Sequence, residues 1–216
     1  KLELNNNAGG VAFTGNQVSA STTTNADYVD ASGGAVYADN SLSINGNGDV
    51  AFSGNMASAS CVGGYYHFTY VQGGAVYSQS NISINDNADV IFSGNETSAT
   101  CVDRNSDFEK YTYVQGGAVY SGADISINDN ADVIFSGNMA TATCAGKFYN
   151  SDYVQGGSVY AGGSISICNN TSVNFADNAI DASFTSYEGA LSYYYVQGGA
   201  IYSSSYNSLV DISNNG

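Results

Sequence analysis

The nine residues YVQGGAVYS fill positions 70–78, return unchanged at 113–121, and return with small changes from Tyr153 and Tyr195. Gly-Gly pairs begin at Gly33, Gly73, Gly116, Gly156 and Gly198, in steps of 40, 43, 40 and 42 residues. A second motif, F-x-x-N, interleaves with them from Phe13, Phe52, Phe92, Phe135 and Phe175. Self-similarity at a fixed period of this length marks stacked copies of one supersecondary unit. Each Gly pair lies 19 residues before the next motif Phe, without exception, whereas the return from Phe to Gly pair takes 20, 21, 24, 21 or 23 residues. One part of the unit is rigid and the other accepts insertions.

The rigid part reads as three short strands, "GGAVYS", "NISIN" and "DVIFSGN" in the copy that begins at Gly73. Period-two alternation puts Ile82 and Ile84 on one face and Ser83 on the other. Val90 and Phe92 point inward. The residue between them is Ala51, Ile91, Ile134 or Asn174 in successive copies, a tolerance that belongs to an outer face. Val76 is taken as inward, with Ala75 and Tyr77 flanking it, although a continuous strand from Val71 would instead bury Ala75 and Tyr77. Short strands separated by Asn, Gly and Asp corners, without helical periodicity, predict an all-β parallel β-helix, or β-solenoid. No echo of the motif occurs at half spacing, so each repeat of 40–43 residues makes one rung. The variable part is then a hairpin-like excursion. Its arms, such as "TSATCV" and "YTYVQ", also recur in register and should stack as well. A lone rung buries too little to offset the entropy of ordering some forty residues, so neighbours must supply the rest. The chain has no proline, as strands that donate along a ladder require. Residues 1–216 form one repeat domain: a partial repeat 1–32, repeats from Gly33, Gly73, Gly116 and Gly156, and a partial repeat 198–216. A chain that opens in mid-pattern suggests a mature fragment of something longer.

Stacked copies align like residues. Asn45, Asn85 and Asn128 form one column, and Asn47, Asn87, Asn130 and Asn170 another, where amides can hydrogen-bond along the axis. Asp49, Asp89 and Asp132 also align, as do Asp86 and Asp129; they either share a cation or point outward. The calcium-binding nonapeptide pattern is absent and there is no C-x-x-C pair, so no metal or other cofactor is expected. Cys61, Cys101 and Cys144 share one repeat position, held by Thr22 and Phe184 in the outer copies. This reads as a packed site for buried thiols, with neighbours close enough for one disulfide. Cys168 replaces a corner Asn.

The chain carries 19 acidic residues against 4 basic ones, a net charge of −15. Lys1, Arg104, Lys110 and Lys147 are scattered, which argues against nucleic acid as a partner. No apolar run reaches membrane-spanning length. The one histidine, His67, and the mixed-charge loop 103–110 have no counterparts in other copies, so no enzyme activity is expected. The excursion tips escape the dictates of the repeat and are rich in aromatics: Tyr65, Tyr66, Phe68, Phe108, Tyr111, Phe148, Tyr149, Tyr187 and Tyr193. Such rings either pack on one another or offer stiff contact area to a partner. These nine are the partner-binding candidates, and the YVQGGAVYS motif itself is taken as scaffold.

The interleaved motifs, GGAV at Gly33, Gly73 and Gly116, GGSV at Gly156, GGAI at Gly198, and five F-x-x-N copies, resemble the repeats of chlamydial polymorphic membrane proteins. The resemblance implies a right-handed parallel β-helix, the passenger of an autotransporter, displayed at the outer membrane by a C-terminal barrel outside these residues. It also implies an adhesin that binds a host or neighbouring-cell protein or glycan through the tips or the flat faces. The competing expectation is a subunit of an extracellular fibre or surface layer, in which copies stack end to end through unpaired strand edges.

Overall fold

The structure is a computed structural model that describes residues 1–23, 28–63, 67–102, 110–146, 150–186 and 192–215. Among these residues there are strands and turns but no helix. In the copy that begins at Gly73 the strands are Val76–Ser78, Ile82–Asn85, Val90–Ser93, Glu96–Val102 and Lys110–Gln115. Every strand pairs in parallel with its equivalents one repeat before and one repeat after: Val76 with Val36 and Val119, Phe92 with Phe52 and Phe135. The result is five parallel sheets, one of six strands and four of five. The chain is a β-solenoid of about four turns, one rung per repeat.

The core follows the alternation in the sequence. Val76, Ile82, Ile84, Val90 and Phe92 are at most 1% exposed, and together with their equivalents they form one column of like residues after another. The motif phenylalanines make a continuous internal stack from Phe13 to Phe175, with centroids 5.1, 4.9, 4.8 and 4.9 Å apart. Ala75 is buried beside Val76, while Tyr77 turns outward.

The Gly-Gly pair answers to two separate demands. Gly73 has φ 63°, which turns the chain sharply between the strand ending at Gln72 and the one starting at Val76. A Cβ on Gly74 would lie 2.1 Å from the carbonyl oxygen of Gly117 and 2.4 Å from that of Glu96. Asp86 and Asp129 are aligned for a related reason. Both hold a left-handed corner, at φ 57° and 58°, with exposed side chains, and Asn169 takes the same conformation one rung on.

The corner asparagines close the ladder. Asn95 Nδ2 donates to Asn138 Oδ1 and to Phe52 O, both at 2.9 Å, while Asn95 Oδ1 accepts from Asn55 N and Nδ2 at 3.0 and 2.9 Å. Asn87 repeats the arrangement with Asn47, Asn130 and Ile44. Each buried amide is satisfied by its own copies above and below. Cys168 ends the third column: its backbone N still donates to Asn128 Oδ1 at 2.8 Å.

The two arms of each excursion ladder from rung to rung, Glu96–Val102 with Met56–Val62 and Met139–Gly146, Lys110–Gln115 with His67–Gln72 and Asn150–Gln155. They face each other through side chains as two separate sheets. A second, thinner core lies between them, built of small residues such as Ala57, Ala99 and Ala140 against Val71, Val114 and Val154.

Gly74→Ala is expected to lower unfolding free energy by roughly 3 kcal/mol, the upper end for an overpacked site. Gly94 has φ 58° and open space around its Cβ position, so Gly94→Ala should cost only about 1 kcal/mol. Gly94→Asn should cost less again, since Asp177 holds the same corner two copies on at φ 56°. Urea midpoints of the three variants check this order.

Candidate functional site

Six of the nine partner-binding candidates, Tyr65, Tyr66, Phe108, Phe148, Tyr149 and Tyr187, lie outside the described residues. The other three are not tip residues. Phe68, Tyr111 and Tyr193 belong to the strands His67–Gln72, Lys110–Gln115 and Tyr193–Gln197, on the outer side of the second arm. His67, read as a tip residue, opens one of these strands. Alternation explains the shift, because Thr69 and Thr112 point inward and leave the residues before them outside. Phe68 and Tyr111 stack at 5.1 Å, and Ser151 then interrupts the column before Tyr193.

The continuous aromatic surface comes instead from the repeated motif. Its first tyrosine forms the column Tyr70, Tyr113, Tyr153 and Tyr195, with ring centroids 4.8, 4.9 and 4.7 Å apart and planes within 6° of parallel. Its last tyrosine forms the column Tyr37, Tyr77, Tyr120 and Tyr160, at 4.8, 5.1 and 5.0 Å, and Tyr202 continues it with a tilted ring at 5.8 Å. The Gly-Gly corner separates the two columns and is itself buried. Between them runs a ladder of glutamines: Gln72 Nε2 donates to Gln115 Oε1 at 2.7 Å, Gln115 to Gln155 at 2.9 Å and Gln155 to Gln197 at 2.8 Å. The phenols of Tyr120 and Tyr160 reach the Gln72 and Gln115 side chains, so the second column folds over the corner.

Burial, with neighbouring phenols adding to it, pushes the Tyr77 and Tyr113 hydroxyls up to about 12, and Tyr120 higher still. Tyr77, Tyr113 and Tyr120 therefore stay uncharged and keep their O–H donors throughout the physiological range. Each inner ring is covered on both faces by its neighbours. Solvent meets ring edges and hydroxyls in rows at rung spacing, except at Tyr160, which is buried. The motif read as scaffold is scaffold and surface at once. Its signal in the sequence is the alternation Tyr70 out, Val71 in, and Val76 in, Tyr77 out.

A second group of polar side chains is hidden between the arms. The column Thr22, Cys61, Cys101, Cys144 and Phe184 faces the column Val29, Thr69, Thr112, Asp152 and Tyr194. All four cysteines are thiols, none of them joined in a disulfide. Cys101 Sγ lies 3.7 Å from Thr69 Oγ1 and 3.5 Å from Thr112 Oγ1, and Cys144 Sγ lies 3.7 Å from Thr112 Oγ1. Asp152 is 1% exposed, and its Oδ2 has no hydrogen-bond partner. Burial raises its pKa to about 6, against the opposing pull of hydrogen bonds from Thr112 and Cys144. A cavity of about 10 Å³ adjoins the cluster, lined by Cys61, Thr69, Cys101, Lys110 and Thr112 among others. Among the described residues, no three His, Cys, Asp or Glu side chains gather as a metal-binding set.

No family model matches the chain, and no curated protein or solved structure matches it. Among the described residues, no helix is long and apolar enough to cross a membrane.

Asp152 has a higher pKa in the folded chain than an ordinary carboxyl has in the unfolded one. The folded state therefore binds the proton first as pH falls, and stability rises as pH drops through 6 toward 4. Unfolding free energy should be roughly 1 kcal/mol greater at pH 5 than at pH 7 from this group alone. Asp152→Asn should remove that difference, as read from urea melts of both chains at the two pH values.

Proposed function

We propose that this chain is a non-catalytic, adhesin-like β-solenoid that works at the cell surface. On this reading it is the outer-membrane-attached passenger of a longer protein and binds a protein or glycan of a host or neighbouring cell. The observation that carries the proposal is the pair of outward tyrosine columns running the length of the solenoid beside the Gly-Gly corner. A scaffold needs the inward Val71 and Val76, but it has no need of two stacked tyrosine columns on its outer side. Tyr offers stiff contact area with a hydroxyl handle at low entropic cost. The net charge of −15 repels nucleic acid and acidic glycans, which leaves neutral or basic partners. Of the two surfaces expected to bind, the tips and the flat faces, this reading takes the face.

The test uses two variants of the 216-residue chain. One carries Tyr70→Thr, Tyr113→Thr and Tyr153→Thr, exchanges at partly exposed strand positions. The other replaces the tip segments 64–66, 103–109 and 147–149 by Gly/Ser. Binding to intact epithelial cells and to arrays of neutral and acidic glycans is measured for each. The tyrosine variant should keep its β circular-dichroism signal and lose at least about tenfold in binding, the scale of one lost hot-spot contact. The tip variant should bind as the parent does. Loss of binding in the tip variant alone would return the site to the excursions.

A second reading is a subunit of an extracellular fibre or surface layer. Val196, Val210 and Ile212 are 50%, 44% and 46% exposed, whereas their register partners Val154, Ile165 and Ile167 are buried. A further rung would cover them, whether from a continuation of the same chain or from another copy. If copies add end to end, the chain should sediment as concentration-dependent oligomers that Val210→Lys abolishes. Monomers at every concentration would dismiss the fibre.

A further inference from the structure

The buried cluster between the arms plays no part in surface binding, and it has the parts of a redox site. Cys101 and Cys144 are register partners on adjacent parallel strands. This sets their Cα atoms about 4.8 Å apart, inside the range that disulfides span. The two thiols share Thr112 Oγ1, which lies 3.5 Å from Cys101 Sγ and 3.7 Å from Cys144 Sγ. The hydrogen bond from Cys144, supported by Thr112 and Thr69, holds Cys101 below the usual thiol range, while the same contact and burial push Cys144 up. Cys101 is partly exposed and lines the small cavity, whereas Cys144 is 5% exposed. The pair thus divides into a partly exposed residue beside the cavity and a buried one.

Asp152 distinguishes this pair from the pair of Cys61 and Cys101. It is the one carboxylate in the facing column, where Thr69 and Thr112 hold the equivalent positions. It contacts Cys144, and its orphan Oδ2 is an acceptor with no proton to accept within the static fold. The next rung closes the cluster with Phe184 and Tyr194, whose rings stack at 4.2 Å in the places of Cys144 and Asp152.

We propose that Cys101 and Cys144 form a redox pair that closes into a cross-rung disulfide by exchange with a low-molecular-weight disulfide, with Asp152 as the base for Cys144. The Cys101 thiolate attacks one sulfur of the disulfide RSSR, forms a mixed disulfide and releases RS⁻, which takes up the proton Cys101 gave to solvent. Asp152 then accepts the Cys144 proton. The Cys144 sulfur attacks the Cys101 sulfur, the second RS⁻ leaves, and the proton on Asp152 passes to it. Two cysteine thiols are oxidised to one disulfide, RSSR is reduced to two RSH, and Asp152 ends as it began. The product bolts two neighbouring excursions together beneath the exposed aromatics.

The native 216-residue chain is incubated with glutathione disulfide, quenched with acid, alkylated in denaturant and mapped by mass spectrometry. A Cys101–glutathione adduct should appear first and give way to a Cys101–Cys144 cross-link. In Cys144→Ser the adduct should persist. In Asp152→Asn, folded by circular dichroism, the adduct should accumulate and close roughly a hundredfold more slowly, the scale of a lost general base. Cys101, Cys144, Tyr194 and, at the cavity, Lys110 are the other titratable groups about Asp152. Closure in the parent should show an inflection near pH 6 that Asp152→Asn lacks, with the thiol inflection kept in both. The proposal is overturned by cross-linking chiefly between Cys61 and Cys101, by an adduct that never closes, or by thiols that react only in denaturant. An unchanged rate and pH profile in Asp152→Asn overturns the role of the carboxylate.

Discussion

Register stacking governs this molecule. Every strand residue lies about 4.8 Å from its equivalents in the rungs above and below, so a side chain is acceptable only if it suits a copy of itself. Amides suit themselves well, because each offers both donors and acceptors along the axis; the Asn95 and Asn87 columns use all of them. Rings suit themselves, as the Phe13 to Phe175 stack shows. Charges do not. Among the registered strand pairs no charged residue meets a like charge: Asp30 faces Tyr70, Glu96 faces Met56 and Met139, Asp132 faces Ser172, and Asp181 faces Thr141. The acids that do align, Asp49 with Asp89 and Asp132, and Asp86 with Asp129, stand at or beside corners with their side chains partly or fully exposed.

The same constraint shapes both sites. On the outer face it multiplies one tyrosine into a ribbon, since a residue that stacks well on itself is repeated at every rung. Between the arms it is relaxed: the inward columns there mix Thr, Cys and Phe on one side with Val, Thr, Asp and Tyr on the other. Uniform columns make a surface and a scaffold. Mixed columns place unlike groups side by side, which is how a thiol pair comes to share a pocket with a carboxylate.

Much of the fold is legible in the residues. The alternation in "NISIN" and "DVIFSGN" predicts the inward set Ile82, Ile84, Val90 and Phe92, all of them buried. The absence of a half-period echo predicts one rung per repeat, and the recurring arm sequences predict stacked arms, as the parallel pairings show. The candidate site is less legible. Counting aromatics in the variable segments points to the tips, yet Phe68, Tyr111 and Tyr193 stand on strands, and the longest aromatic columns come from the least variable residues of all. Variability marks freedom from the scaffold. It does not tell which side of a strand a conserved-length segment turns to water.

The sequence by itself determined the period, the parallel stacking and the inward face, because these follow from self-complementarity between copies and from two-residue alternation within one. Only the tertiary structure decided how the two arms face each other and where the motif tyrosines lie relative to the Gly-Gly corner. Those relations join residues about 40 positions apart with residues on the far side of the same rung. They depend on corner angles at Gly73 and its equivalents that no local pattern encodes. Asp152 shows the difference. In the sequence it is one acid among 19; in the fold it is a buried carboxylate beside two thiols, because the strand it occupies turns that side chain toward the opposite arm.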